Sequence, residues 1–426
     1  MITDSPYISF VVTARNDDHG GNLLYRMNIF VRALLSQARK ENVTAELILV
    51  EWNPPPDRAR LHEVLNWPKE EGPCRVRVIE VPPEIHARFR HSDRLPLFQM
   101  IAKNVGIRRA RGRFILATNI DLLFSNELMR LFASHQLSPK FMYRVDRYDV
   151  PADVREDAPV EDQLEYCQKN VIRVNRRDGT FPMEALSGIW LWKIRRSALL
   201  SRWLQIRLTK PITAVHLLFS QIAHTLHRIA QKISPKRRKW RKVSKAGFAI
   251  GAAAVVLSSQ VLLRLRVPMA FVTLKLRVHM AFDAIKGLLF PKYPRLHMNG
   301  CGDFTLMASE HWKALRGYPE LEVFSFNLDS LLCQMAYQNG LREKVLPDPM
   351  RIYHIEHSYG WTPEGERKMV ERLRRMRIPM LDFAEFQLWA TQMQRDKRPV
   401  VLADENWGLA SYNLHETTID FANTVP

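Results

Sequence analysis

Four short apolar runs, each parted from the next by a helical pattern or by turn residues, constrain this chain more than any other feature. Residues 8–13 lead into Ala14-Arg15-Asn16-Asp17. Residues 46–51 are closed by Trp52-Asn53 and three prolines, which cannot continue a central strand. Residues 76–81 stop at Pro82-Pro83, and residues 113–118 end at Asn119-Ile120-Asp121. After the first run, Leu24, Met27, Phe30, Val31, Leu34 and Leu35 keep helical spacing, and residues 97–109 form a second helical pattern before the fourth. Strands alternating with helices predict a parallel, doubly wound α/β sheet. Such sheets take ligands beyond the carboxyl ends of their strands, so residues 13–17, 51–53 and 119–121 should converge.

The remainder is less regular. Residues 126–134 continue as a helix, residues 143–183 read as polar surface loops with short elements, and residues 187–192 resemble another strand. With 46% hydrophobic and 25% charged residues, the composition excludes collagen-like, disordered and disulfide-scaffold classes. The four cysteines have no close spacing, so buried free thiols are expected rather than a zinc ribbon. The opening residues lack a basic stretch followed by an apolar one, and no secretory leader is expected.

Charge is unevenly placed. Residues 202–295 hold 19 of the 63 lysines and arginines but a single acid, Asp283, of the 44, so the rest of the chain is almost balanced. In this segment Val215, Leu218, Phe219, Ile222, Leu226, Ile229 and Ile233 make one helical stripe, followed by a polybasic run around Trp240. Residues 246–263 carry no charge; as a helix they would reach roughly 27 Å, just short of a hydrocarbon core. Three readings compete: an amphipathic module on an anionic leaflet or a re-entrant hairpin, one spanning helix, and nucleic-acid binding. A single crossing would put the two flanks in different compartments, and no nucleic-acid motif accompanies the cations. The expectation is therefore a membrane surface, with no nucleic-acid partner; a solvated charge run beside a buried helix is the plain alternative.

Motifs in the flanks carry a family resemblance. The stretch Ala102-Lys-Asn104-Val-Gly106-Ile-Arg-Arg-Ala110-Arg-Gly112, running through a strand into Asn119-Ile120-Asp121, resembles the segment of family 2 glycosyltransferases that leads to their DXD motif. Asn299-Gly-Cys-Gly302-Asp303-Phe304 with Arg316-Gly-Tyr-Pro-Glu320 is similar to that family's acceptor-side stretch. Asn327-Leu-Asp329 stands where the family has an acidic pair, and Ile355-Glu-His357 where galactosyltransferase-like members bind metal through a histidine. The resemblance covers about residues 6–145 and 296–360. It implies a GT-A-like α/β fold, a mixed and mainly parallel sheet flanked by helices and interrupted by the basic insertion. The expected division is 1–200 for the nucleotide-sugar half, 202–295 for the insertion, 296–380 for the acceptor half and 381–426 for a C-terminal helix and tail. Two departures stand out: the first DXD acid is Asn119, and the acidic pair keeps only Asp329.

The implied chemistry is transfer of a sugar from a nucleotide-sugar donor, with inversion, to a lipid-linked or surface-glycan acceptor on the cytoplasmic side of a membrane. Thr13, Arg15, Asp17, Glu51 and Asn104 are the candidate nucleotide contacts. Asp121, with Asn119 and His357, would hold a divalent cation (Mn or Mg) against the diphosphate, because hard cations take oxygen ligands. Asp329 is the candidate general base, with Asp303 second. Each has a plainer reading: Asp121 or Asp329 as a helix cap, Glu51 as the surface end of a strand. Period-2 alternation over residues 351–357 puts His354 and Glu356 on one face and His357 on the other, so both histidines should not reach one metal. A non-catalytic membrane adaptor on a degenerate scaffold is the alternative function.

Overall fold

The computed structural model describes residues 5–183, 294–357 and 363–421. By contacts the chain divides into two units, Met1–Leu186 with Tyr293–Pro426, and Ser187–Lys292. Everything described here belongs to the first. The expected strand at 187–192, the amphipathic stripe, the polybasic run and the uncharged stretch at 246–263 lie outside the described residues.

The first unit is built on an eight-stranded sheet. Its parallel centre is β1 (Ile8–Ala14), β2 (Ala45–Trp52), β3 (Cys74–Val81) and β4 (Phe114–Thr118), the four apolar runs of the sequence. Helix α1 (Leu23–Lys40) links β1 to β2, and the short turns α2 (Leu61–Val64) and α3 (Pro83–His86) follow β2 and β3. Helix α4 (Gln99–Arg109) precedes β4. Beyond β4 come β5 (Leu122–Phe124), α5 (Asn126–Ala133), β6 (Phe141–Arg144), β7 (Arg147–Val150), α6 (Val160–Lys169), β8 (Arg173–Arg176) and β9 (Gly179–Pro182). After the undescribed segment the chain gives β10 (Phe304–Ala308), α7 (Ser309–Leu315), α8 (Leu328–Gln338), β11 (Arg342–Val345), β12 (Ile352–Ile355), α9 (Pro363–Arg375), α10 (Phe383–Asp396) and β13 (Glu416–Thr418).

The strand order is β11-β6-β10-β4-β1-β2-β3-β13. Strand β10 runs antiparallel between β4 and β6, and β13 antiparallel to β3, so the sheet is mixed rather than the all-parallel one that strand order alone predicts. The chain moves from β1 outward to β3 and then returns to β4 on the other side of β1. That reversal opens a crevice at the carboxyl ends of β1 and β4.

Both faces of the sheet are covered, which is why its central strands read as unbroken apolar runs. Phe10, Val12, Leu47, Leu49, Phe114 and Leu116 pack on the side of α1 and α5. Val11, Ile48, Val50, Ile115 and Ala117 pack with α4 and α8 on the other. Glycines fit α4 and its exit to this sheet. A Cβ at Gly106 would lie 2.6 Å from Val11 Cγ1, and one at Gly112 would lie 2.6 Å from the Ser9 backbone nitrogen. Asn104 holds the same region: its side chain donates to Tyr318 O and Glu320 and accepts from Tyr318 N–H. The helical motif of residues 102–112 is thus explained by close packing.

A second sheet, β5-β12-β7-β8-β9, sits beyond the end of β4. The short elements expected over 143–183 are there, but three of them are strands of this sheet rather than parts of surface loops. Arg147, Asp149 and Asn175 are buried there, because the charges satisfy one another. The expected tail after residue 381 also does more than predicted, since β13 pairs with β3 and closes one edge of the main sheet. All four cysteines are free and buried. Among the described residues no helix is long and apolar enough to cross a membrane.

Candidate active site at the strand ends

The carboxyl end of β4 turns directly into β5, leaving Asn119, Ile120 and Asp121 at the mouth of the crevice. Strand β12 joins the second sheet between β5 and β7, with His354 in register with Leu122 on one side and Asp149 on the other. This register brings His354 beside Asp121. His354 Nε2 is 3.8 Å from Asp121 Oδ2, and His357 Nε2 is 3.0 Å from the same oxygen. The alternation expected for residues 351–357 fails because β12 ends at Ile355. His357 lies past that end, and the side chains of Asp121, His354 and His357 offer ligand atoms all within 4.8 Å of one another.

Burial alone would raise the carboxyl pKa of Asp121. The hydrogen bond from His357 and the positive charges of His354, His357 and Arg26 outweigh burial and hold it well below the usual carboxylate range. Burial and Arg147 lower the His354 imidazole, but the Asp149 carboxylate, 3.3 Å from its Nδ1, and the charge of Asp121 prevail and raise it. Behind His354, Asp149 is pinned by Arg147 at 2.8 Å, Arg173 at 2.5 Å and Asn175 at 3.0 Å. Arg147 also reaches Asp303, and Arg173 reaches Glu356.

Asn119 does not join this trio. Its carbonyl oxygen accepts from Lys103 Nζ at 2.8 Å, and its amide donates to Asp303 at 2.6 Å. The reason is Lys103 itself, a fully buried ammonium that needs acceptors and takes Asn119 and the Gly302 carbonyl. Burial pushes Lys103 down to about 8, against the attraction of Asp303, Asp329 and Asp121. Asp303 is likewise engaged, one oxygen by Asn119 and the other by Arg147.

Asp329 enters from the first turn of α8. Its Oδ1 accepts from Ser330 N–H at 2.8 Å, and a Cβ on Gly302 would lie 3.0 Å from its Oδ2. Asn327, not Asp329, occupies the helix-cap position. Burial, helped by the nearby charge of Asp303, pushes the Asp329 carboxyl up despite Cys301, Ser330 and Lys103. Lys103 and Gly302 thus bridge the end of β4 to the start of α8.

The expected nucleotide contacts divide. Arg15 and Asp17 pair at 2.9 Å and remain partly exposed, with Arg15 also donating to Asn53 O. Thr13 is buried and donates to Val50 O. Glu51 is fully enclosed, not a surface strand end. One of its oxygens accepts from Leu61 N–H, the other has no hydrogen-bond partner, and burial pushes it up to about 7. Asn104 spends its amide on the loop at 318–320 and is fully buried.

A cleft of about 320 Å³ opens beside His357, lined by Gly20, Gly21, Tyr25, Arg26, Ala152 and Glu356 among others. The residues fit a cation. Asp121 Oδ1 and His357 Nδ1 are buried without hydrogen-bond partners, and His357 faces the cleft. Sequence reading set His354 aside and missed Asp149 and Lys103; the signal for the last was present, a lysine inside an apolar helix pattern next to Asn104. No protein-family model matches the chain, and no curated protein matches it.

Proposed function

We propose that this chain is a membrane-associated glycosyltransferase of the GT-A kind, moving a sugar from a nucleotide-sugar to a lipid-linked or surface-glycan acceptor with inversion. The observation that supports the reading is that Asp121 lies just past the end of β4 while Lys103 of α4 donates to Asn119, two residues before it, and to the carbonyl of Gly302, with Asp329 beside Gly302. An acid for a cation and a separate carboxylate for a hydroxyl are the two groups that sugar transfer from a diphosphate donor requires.

Arg15 and Asp17, partly exposed just past the end of β1, would meet the nucleotide. A divalent cation at Asp121 would supply charge neutralisation for the leaving diphosphate. Asp329, raised by burial, accepts the proton of the acceptor hydroxyl as that oxygen attacks the anomeric carbon. The basic segment, from its composition, would hold the site near an anionic leaflet.

The adaptor alternative is favoured by one observation: the single side-chain oxygen of Asn119 already accepts from Lys103 and Gln99, while its amide donates to Asp303. Calorimetry with nucleoside diphosphates and nucleotide-sugars, with and without manganese, separates the two. Binding of a nucleotide-sugar followed by donor turnover is expected; no binding in either condition would leave the adaptor.

A further inference from the structure

Seven large apolar side chains are exposed among the described residues, and three of them, Met376, Phe383 and Leu388, cluster where α9 turns into α10. Helix α10 directs Phe386, Ala390 and Met393 into the core, so Leu388, on the opposite side, is 70% exposed. Phe383 stacks on Phe386 at 6.1 Å and is still 60% exposed. A groove of about 310 Å³ opens beside this turn, walled by Leu321, Val323, Pro379, Met380 and Trp389. Its acids are engaged: Glu322 accepts from the exposed Arg90, and Glu385 closes a capping box with Asp382 at the start of α10.

Charge next to these side chains has one sign. Residues 372–377 read Arg-Leu-Arg-Arg-Met-Arg, four cations and no acid, and of the six only Leu373 is buried. None of the four arginines has an ion pair among the described residues, whereas Arg147 and Arg173 of the second sheet each hold two carboxylates. The turn itself is firmly tied. Arg94 donates to the carbonyls of Met376 and Arg377, Phe324 N–H to that of Pro379, and Asn327 to that of Leu381. Asn327 is also the cap of α8, two residues before Asp329. Unneutralised arginines beside protruding apolar side chains complement an anionic leaflet, where headgroup phosphates meet the cations and the acyl boundary takes the apolar groups. A fluid surface accommodates side chains that protrude singly; a folded partner would need a pocket for each.

We propose that the turn from α9 into α10 is a lipid-docking surface that seats the first unit on an anionic leaflet. Met376, Phe383 and Leu388 enter the headgroup boundary, and Arg372, Arg374, Arg375 and Arg377 meet lipid phosphates. This surface is separate from the basic segment at 202–295 and belongs to the unit that carries the crevice. Because Asn327 ties the turn to the start of α8, docking fixes the distance between the leaflet and Asp329. The inference extends the membrane part of the proposed function and does not rest on sugar transfer.

The test places an environment-sensitive fluorophore on the full chain at Leu388→Cys; the four natural thiols are buried and stay unlabelled. Vesicles of phosphatidylcholine with about 30% phosphatidylglycerol should shift its emission to the blue and shield it from iodide, and phosphatidylcholine alone should do neither. A label at Gln136→Cys, exposed after α5 on the other side of the main sheet, should remain in water. Combined Arg374→Glu, Arg375→Glu and Arg377→Glu should abolish the shift at position 388 even in chains that sediment with the vesicles. Lysine at the same three positions should keep it, which guards against misfolding. No shift in vesicle-bound chain, an equal shift on neutral vesicles, or a shift that survives the triple charge reversal would overturn the surface. A shift caused by soluble polyglutamate, or by raising the chain concentration without lipid, and not by vesicles would overturn it in favour of an acidic protein or a second copy. Sugar turnover without the shift would remove this surface and leave the transferase. The shift without nucleotide-sugar binding would leave the surface and favour the adaptor.

Discussion

The two ends of strand β2 hold buried glutamates in opposite circumstances. At the amino end, Glu46 accepts from Ser9 Oγ and Arg111 N–H at 2.6 Å each, and from Arg77 at 2.8 Å. Arg77 is shared with Glu416 of the edge strand β13. At the carboxyl end, Glu51 has one backbone donor and a second oxygen with none, and it titrates at about 7. The same contrast runs across the sheet. Gly112 N–H donates to Ser9 at one end, while Asp121 and His357 keep buried atoms without hydrogen-bond partners at the other. Buried polar groups that are satisfied rigidify a fold, and those left over mark where something else is to bind. The amino end is built for stability; the carboxyl end retains capacity for chemistry.

That contrast can be broken from either side. The largest expected effect is on activity: Asp329→Asn should lower donor turnover about 10²–10⁴-fold with an unchanged Tm, and retention of full turnover would remove Asp329 as the base. Next, Glu46→Ala leaves Ser9 Oγ and Arg111 N–H without their acceptor and Arg77 with Glu416 as its one carboxylate, and should cost about 1–3 kcal/mol per orphaned donor in chemical denaturation. A loss no larger than that of an average surface substitution would show that the amino end is not the tighter one.

Glu51 gives a pH signature. Its pKa in the folded chain, about 7, lies above its ordinary 4.5, so the native state binds the extra proton. Stability from this group is therefore full below pH 4.5 and falls as pH rises to 7, by about 3 kcal/mol. Glu51→Gln should flatten that limb of the stability–pH curve, and an unchanged slope would mean that Glu51 is solvated. The smallest effect is a refinement of the amino end: Gly112→Ala forces a methyl onto Ser9 and should cost about 1–3 kcal/mol, measured by thermal unfolding.

Much of this was legible in the residues. Strands β1 to β4 could be read because strands covered on both faces carry uninterrupted apolar runs, and Asp121 because it closes the last of them. The motif from Asn104 to Gly112 was equally visible, but its meaning is packing: Gly106 and Gly112 make room and Asn104 ties down residues 318–320. Strands β7 to β9 escaped because Arg147, Asp149 and Arg173 look like surface residues until their partners are known. His354 was set aside because alternation was carried past the point where the strand ends.

The succession of β1 to β4 along the chain and the cationic segment follow from the sequence alone, since periodicity and charge are local properties. Which side chains meet there was decided by tertiary structure. Register put His354 between Asp121 and Asp149, and a buried lysine turned Asn119 away from them. Long-range pairing of charged groups leaves no periodic trace in a sequence, because each partner satisfies a need that exists only once water is excluded.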